Sequence, residues 1–305
     1  MRLQVFSTRT DKPHQYGFYR PTEEVTSLLP YEPIEFAISP DGINWVSCYD
    51  VPDLFGIHLY QAPDVAPAVQ TDNLRKVGLN DGQSLVSSSY EPRELKMLVS
   101  ANGDPDEPST LLGYDALQRF LVSRSAYWIC FANWPQRMYY VKAKLGAPVF
   151  AGPKQWTCEV TLTDLNGLSR SVGTTNTNDR VYGFGNNEPS AVHGYHYTTN
   201  TFTVQNLSDV LIDPERRGHP LKITLKGSSN GGLSITNKTT GDQVTRSDSF
   251  SGTWVLDGVN PMLNGKGDLS NTNAGVITLQ IGANDFQVSG FSGTVDVDFA
   301  LWWLS

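Results

Sequence analysis

The chain of 305 residues exceeds what one small core organises and fits two domains. With 39 % apolar and 18 % charged residues it can pack a core, which excludes bulk disorder. The net charge of −8 divides evenly, 15 basic against 19 acidic side chains over residues 1–170 and 8 against 12 over 171–305; with no basic stripe to neutralise phosphates, specific nucleic-acid binding is disfavoured.

Thr, Val, Tyr, Phe and Gly are plentiful and helix formers do not dominate, which leans the chain toward a mainly β fold. The opening run MRLQVFSTRTDKPHQYG lacks a hydrophobic signal core, and no apolar run approaches the roughly 20 residues of a membrane span. A soluble protein made in a reducing cytosol, with no membrane partner, is the expectation. Residues 1–80 are rich in proline and aromatic residues, with short strands expected at Ile34–Ile38 and Asn44–Tyr49 and a strong turn at Asp81-Gly82. Glu94–Ser100 alternates, with Leu95, Met97 and Val99 on one face. The acidic, proline-bearing run Asp104–Pro108 ends that strand. Ser109 or Thr110 can then cap a helix from about Leu111 to Val122. Tyr114, Leu117 and Leu121 lie at helical spacing, beside Ala116 and Phe120, and read as a face docked on a sheet.

Three strands are expected next. Ala126–Ala132 is continuously apolar and reads as buried on both faces; Arg137–Leu145 follows a turn at Asn133-Trp-Pro135; Trp156–Leu162 turns Trp156, Cys158, Val160 and Leu162 inward. Asp164-Leu-Asn-Gly167 closes this half. Residues 171–205, rich in Asn, Gly, Thr and Tyr, read as a connecting segment between a first domain, 1–170, and a second, 206–305. In the second domain Leu221/Ile223/Leu225, Leu233/Ile235, Trp254/Leu256, Ile277/Leu279/Ile281, Phe286/Val288 and Val295/Val297/Phe299/Leu301 alternate with polar residues, separated by Gly- and Asn-rich turns. Many short alternating strands of this kind predict an antiparallel β-sandwich.

Reactive constellations are sparse. Cys48, Cys130 and Cys158 form no C-x-x-C and read as buried small hydrophobes. His193 and His196, three apart, could be a metal pair, but carboxylates are sparse nearby and edge imidazoles are the simpler reading. Gly183-Phe-Gly185 lacks the third glycine of a phosphate loop, and the acids at Asp104–Glu107 and Asp296/Asp298 lack a calcium-loop periodicity. The sequons at Asn206 and Asn237 read as ordinary turns. Trp254, Trp302, Trp303 and Tyr195 could make an aromatic platform for a sugar, so a lectin that binds host-wall carbohydrate is the rival functional class. No catalytic, cofactor or metal site is assigned, and an enzyme is not expected.

The order of these elements carries a resemblance. DGQSLVSSSYEPRELKMLVSANG, an acidic break, the helix LLGYDALQRFLV and the strands AYWICFA and RMYYVKAKL resemble the first domain of siphophage distal tail proteins; LKITLKGSSNGGLSITNKTTGD, WVLDG and LQIGANDFQVSG resemble their carboxy-terminal domain. The resemblance covers about residues 75–305. It implies a β-rich, ring-forming first domain and a galectin-like (jelly-roll) second domain. It implies a homohexameric hub at the distal end of the phage tail in the virion, assembled in the bacterial host cytoplasm. The ring would join the major tail tube protein to a tail-tip or tail-associated lysin protein, leave a channel for DNA, and carry receptor-binding or baseplate proteins.

Overall fold

The computed structural model describes residues 3–9, 33–79, 81–102, 110–152, 155–176 and 194–305. The fold is mainly β, with several antiparallel sheets and one α-helix among the described residues. It divides into two compact units, one of Leu3–Val172 with Leu304–Ser305 and the other of Gly173–Trp303.

The first unit is built on strands β1 (Phe36–Ser39), β2 (Val46–Ser47), β3 (Ile57–Val65), β4 (Gln70–Arg75), β5 (Ser84–Tyr90), β6 (Arg93–Asn102), β7 (Tyr127–Phe131), β8 (Arg137–Leu145), β9 (Val149–Gly152), β10 (Gln155–Asp164) and β11 (Ser169–Ser171). The main sheet runs β2-β1-β7-β8-β10-β6-β3, with β9 on β10 and β11 on β8. The β10–β6 ladder is unbroken from Gln155↔Asn102 to Asp164↔Arg93, so Trp156, Cys158, Val160 and Leu162 share a buried face with Leu95, Met97 and Val99. β7 is buried at all five positions, as its unbroken apolar run demands. The expected strand over Asn44–Tyr49 shrinks to Val46–Ser47, because Ser47 accepts from the Tyr49 N–H and turns Cys48–Asp50 into a short 3₁₀ segment.

The helix α1 spans Thr110–Leu121, one residue earlier at each end than the periodicity indicates. Ala116, Leu117 and Leu121 are buried in the core, Phe120 packs 6.0 Å from Phe36, and Tyr114 stands edge-on to Trp156 at 5.8 Å. Burying Leu117 and Leu121 contributes about 2–3 kcal/mol each, which docking a short helix requires. Tyr127 Oη donates to the Leu121 carbonyl at 2.7 Å, and Lys142 Nζ to the carbonyls of Ser123 and Arg124 just beyond the helix. Ser109 and the acidic run Asp104–Pro108 lie outside the described residues.

The second unit holds β12 (His196–Tyr197), β13 (Thr201–Asn206), β14 (Leu221–Ser229), β15 (Leu233–Asn237), β16 (Gln243–Arg246), β17 (Phe250–Asp257), β18 (Asn260–Leu263), β19 (Lys266–Gly267), β20 (Gly282–Ser289), β21 (Ser292–Phe299) and β22 (Trp302–Trp303). One sheet runs β12-β21-β14-β17-β18-β19 and a second β13-β20-β15-β16. Leu221, Ile223, Leu225, Trp254, Leu256, Val295, Val297 and Phe299 turn inward from the first; Phe202, Val204, Leu233, Ile235, Phe286 and Val288 from the second. Tyr197 of the first stacks on Phe202 of the second at 4.0 Å, and Tyr195 Oη donates to the Gln205 carbonyl, so the sheets form an antiparallel sandwich.

Residues 276–281 correct the sequence reading. Ile277 and Leu279 are buried but Ile281 is 58 % exposed, and the only ladder-type pairing is the isolated Ile212↔Leu279 bridge. Side chains satisfy the backbone instead. Asp242 accepts from Thr278 N–H, Asn237 Nδ2 donates to the Thr278 carbonyl, and Asn284 bonds both the N–H and the carbonyl of Gln280. The Thr239–Asp242 turn and the Gly282-Ala-Asn284 sequence are thereby parts of one internal polar network.

Candidate interaction surface

Strands β4 and β5 form a sheet of their own. They leave the body at Val69, whose carbonyl accepts from Glu91 N–H at 2.9 Å, and Gln70 Nε2 donates to Tyr90 Oη where the ladder begins. Every residue from Gln70 to Leu79 is exposed, and β5 is exposed except at Ser88 and Tyr90, which are half-buried. A two-stranded ribbon with solvent on both faces is marginal in water. This one nevertheless displays Leu74, Val77, Leu79, Leu85 and Val86, each more than half exposed. Asn73 pairs with Ser87 and Leu74 with Leu85, so Val86 is the extra residue of a bulge. Exposed apolar side chains on a free-standing ribbon with unpaired edges make this hairpin a candidate interaction surface.

At the foot of this hairpin the same unit has a groove of about 560 Å³, walled by Val65, Pro67, Ala68, Phe131, Trp134 and Tyr139. The Phe131 and Tyr139 rings lie 6.4 Å apart, and the Arg137 guanidinium stacks over Trp134 at 4.1 Å. Arg93 underpins the wall. Its Nε donates to Asp164 Oδ2 at 3.1 Å, its Nη1 to the carbonyls of Ala66 and Leu304, and its Nη2 has no hydrogen-bond partner among the described residues. Burial pushes the Asp164 carboxyl up to about 6 against the opposing pull of Arg93.

The residues singled out from sequence take structural places. Trp254, Trp303 and Tyr195 are buried at 0 %, 0 % and 3 % exposure and Trp302 at 6 %, so they form no aromatic platform for a sugar. Trp254 donates its indole N–H to Asp268, Trp302 stacks on His219 at 4.8 Å, and Tyr195 stands edge-on to Phe299. Trp254 and Tyr195 turn inward because each sits in or beside a strand whose apolar face meets the opposing sheet. His196 Nδ1 pairs with Asp296 at 2.5 Å, and Lys226 approaches the same carboxylate at 3.6 Å. Asp298 accepts from Asn176 N–H and Thr175 Oγ1. No cluster of three or more His, Cys, Asp or Glu able to hold a metal is present among the described residues. His193 and Gly183–Gly185 lie outside them. Asn206 and Asn237 are buried at 1 % and 0 %, donating to the carbonyls of Val210 and Leu279 and of Thr278. Cys48, Cys130 and Cys158 are buried free thiols, and burial pushes all three up, Cys48 to about 12.

The hairpin and the groove were not identified from sequence. Alternation signals one buried face, and β5 (Ser84-Leu-Val-Ser-Ser-Ser-Tyr90) has none. Its only sequence signal is the Asp81-Gly82 turn, where Gly82 takes φ +82°.

No family model and no curated protein matches this chain. Among solved structures, it is similar to the Dit protein of phage SPP1, described as a paradigm of the hub adsorption apparatus in phages infecting Gram-positive bacteria, with 14 % identity and a TM-score of 0.60 over 88 % of this chain and 99 % of that one. A chain of the phage P2 baseplate in its activated, calcium-bound conformation aligns at 9 % identity and a TM-score of 0.43, covering 88 % of this chain and 97 % of that one. The fold is that of a phage distal tail hub protein.

Proposed function

We propose that this protein is a structural, non-enzymatic component of a phage tail: the distal tail protein that closes as six copies into a hub. In this reading the first units form the ring and leave a channel for DNA. The ring joins the tail tube to the tail tip or a tail-associated lysin protein. The second units, galectin-like lobes, are sockets for receptor-binding or baseplate proteins. A closed ring repeats one heterologous contact, so each copy must present two different complementary surfaces.

The observation that carries this reading is the β4–β5 hairpin, a free ribbon bearing exposed Leu74, Val77, Leu79, Leu85 and Val86 on a unit whose core is already complete. Supporting it, the fold follows that of a phage hub protein over nearly the whole of that protein's length. The burial of Trp254, Trp302, Trp303 and Tyr195 removes the ground on which a lectin was the rival. Light scattering on the purified protein tests the reading directly. A mass near six chains and rings in negative-stain images are expected; a protein that stays monomeric at high concentration overturns it.

A further inference from the structure

We propose that the second unit binds a neutral polyhydroxylated ligand, an uncharged glycan, in a second groove on the outer face of its four-stranded sheet. This goes beyond the hub reading and does not depend on it. The groove, of about 480 Å³, crosses β15, β16 and the segment after β19, and is lined by Ser234, Gln243, Thr245, Ser270, Thr272 and Asn273 among others. None of its lining side chains is aromatic. Its one large apolar side chain, Leu233, is 1 % exposed, and its one charged side chain, Arg246, is buried against Asp268.

The groove belongs to a wider pattern. The strand registers set the outward side chains in two adjoining rows, Ser289, Ser234 and Thr245 in one and Thr201, Gln287, Thr236 and Gln243 in the other. Neither row carries a charge. The single charged residue on the outer face of these four strands, Asp285, accepts from Thr203 Oγ1 at 2.7 Å. Gln243 Nε2 donates to Ser234 Oγ at 2.9 Å and to Thr236 Oγ1 at 3.3 Å, which ties the two rows together. The outer face of the six-stranded sheet differs: it presents Lys222, Lys226, His196, Asp257, Asp296 and Asp298. The wall of the groove is fixed too. Asn273 Oδ1 accepts from Thr245 N–H at 2.9 Å and its Nδ2 donates to the Gln243 carbonyl at 3.1 Å, so the segment is held along the outer edge of β16. Beside it Ala274 takes φ +53°, a left-handed conformation that a residue with a side chain keeps only where its surroundings dictate it.

Hydroxyl and amide side chains both donate and accept, as the hydroxyls of a sugar do. Groups already oriented lose little freedom on binding. Protein-binding surfaces instead concentrate aromatic, Met and Arg side chains and are poor in Ser. An anionic ligand needs exposed cations, which this groove does not offer. With no ring to stack on, the contact is weak in each copy and gains by repetition in an oligomer.

Saturation-transfer difference NMR on the full chain tests the site, with glucose, galactose, N-acetylglucosamine and rhamnose as neutral probes and glucuronate as the charged control. At least one neutral sugar is expected to give a signal that is the same at low and high salt, because no charge takes part. Thr245→Lys, which sets a long charged chain in the groove, is expected to abolish that signal. Gln243→Ala, a milder change at an exposed side chain, is expected to weaken it without disturbing the fold. Thr224→Lys, on the charged outer face of the other sheet, is expected to leave it unchanged. No signal from any neutral sugar, or a signal that survives both groove variants, overturns the site. Rings without sugar binding would leave the hub standing alone; sugar binding by a protein that stays monomeric would leave the site and overturn the hub.

Discussion

Arg93 and Asp164 form an ion pair at 3.1 Å with side chains 1 % and 0 % exposed, and it ties the first residue of β6 to the last residue of β10. The pair joins two sequence features. Tyr90-Glu-Pro-Arg93 breaks the chain between hairpin and sheet, because Pro92 cannot donate to a ladder. Asp164-Leu-Asn-Gly167 turns the chain back beneath it. At Gly167 the backbone takes φ +64°, and a Cβ there would lie 2.1 Å from the Glu91 carbonyl oxygen. The same arginine holds the groove wall through Ala66, so the foot of the hairpin is positioned by this pair.

Arg93→Met is therefore expected to cost the first unit about 3–5 kcal/mol, because it strands a buried carboxylate. Adding Asp164→Leu is expected to restore most of that loss, since an apolar pair leaves no charge uncompensated. Urea unfolding of the single and double variants measures both. Equal loss in the two variants would show that the pair is not the source of the effect.

Most of the sandwich and the main sheet were legible in the sequence, because a strand with one wet face writes its orientation in period two. Trp156, Cys158, Val160 and Leu162 were read as inward and are 1 %, 2 %, 0 % and 0 % exposed. The helix was legible from Tyr114, Leu117 and Leu121. Ile277, Leu279 and Ile281 alternate equally well yet form no regular strand, since Asn237, Asp242 and Asn284 take the hydrogen bonds a neighbouring strand would have made. The interaction surface was illegible for a different reason. A ribbon exposed on both faces has no period, and the groove is assembled from residues 63–68, 131–139 and 304–305, which are distant in sequence.

A row of three glycines crosses the six-stranded sheet, Gly227 pairing with Gly252 on one side and Gly293 on the other. A Cβ on Gly227 would lie 2.1 Å from the Ser292 carbonyl oxygen, at a φ of +158°. Gly227→Ala is expected to destabilise the second unit by more than about 2 kcal/mol. Gly267→Ala, in open space on the edge strand β19, is expected to stay within about 0.5 kcal/mol. Denaturant midpoints compare the two; equal midpoints would remove the close approach as the reason for glycine at 227.

Asp268 is the hub of a second buried network. It accepts from Arg246 Nε at 2.6 Å, Trp254 Nε1 at 2.9 Å and Asn271 Nδ2 at 2.7 Å. Asp268→Asn leaves the Arg246 guanidinium, in a residue 3 % exposed, without its counter-charge. A loss of about 3 kcal/mol is expected, confined to the second unit. Hydrogen exchange resolved by peptide reads each unit separately, and equal loss of protection in both would contradict a local network.

Acid should act unequally on the two units. In the second, burial lowers His219 to about 4, whereas in the unfolded chain it titrates near 6.5. The unfolded state takes up that proton first, so the stability held above pH 6.5 drains as pH falls toward 4, by up to roughly 3 kcal/mol. Although burial raises the carboxyl of Asp268, hydrogen bonds from Arg246, Asn271 and Trp254 hold it below the usual range, so a further loss follows under pH 3.8. In the first unit burial likewise lowers His58 to about 4, with the same sign. Asp164 there opposes it: its folded value, about 6, lies above the unfolded 3.8, so stability rises as pH falls between those values. The first unit is therefore expected to lose less between pH 6 and 4. Hydrogen exchange at pH 7, 5 and 4, corrected for the intrinsic rate, should show protection falling first in peptides of the second unit. His219→Phe, which keeps a ring against Trp302, should flatten that fall; an unchanged pH profile in the variant would assign the acid sensitivity elsewhere.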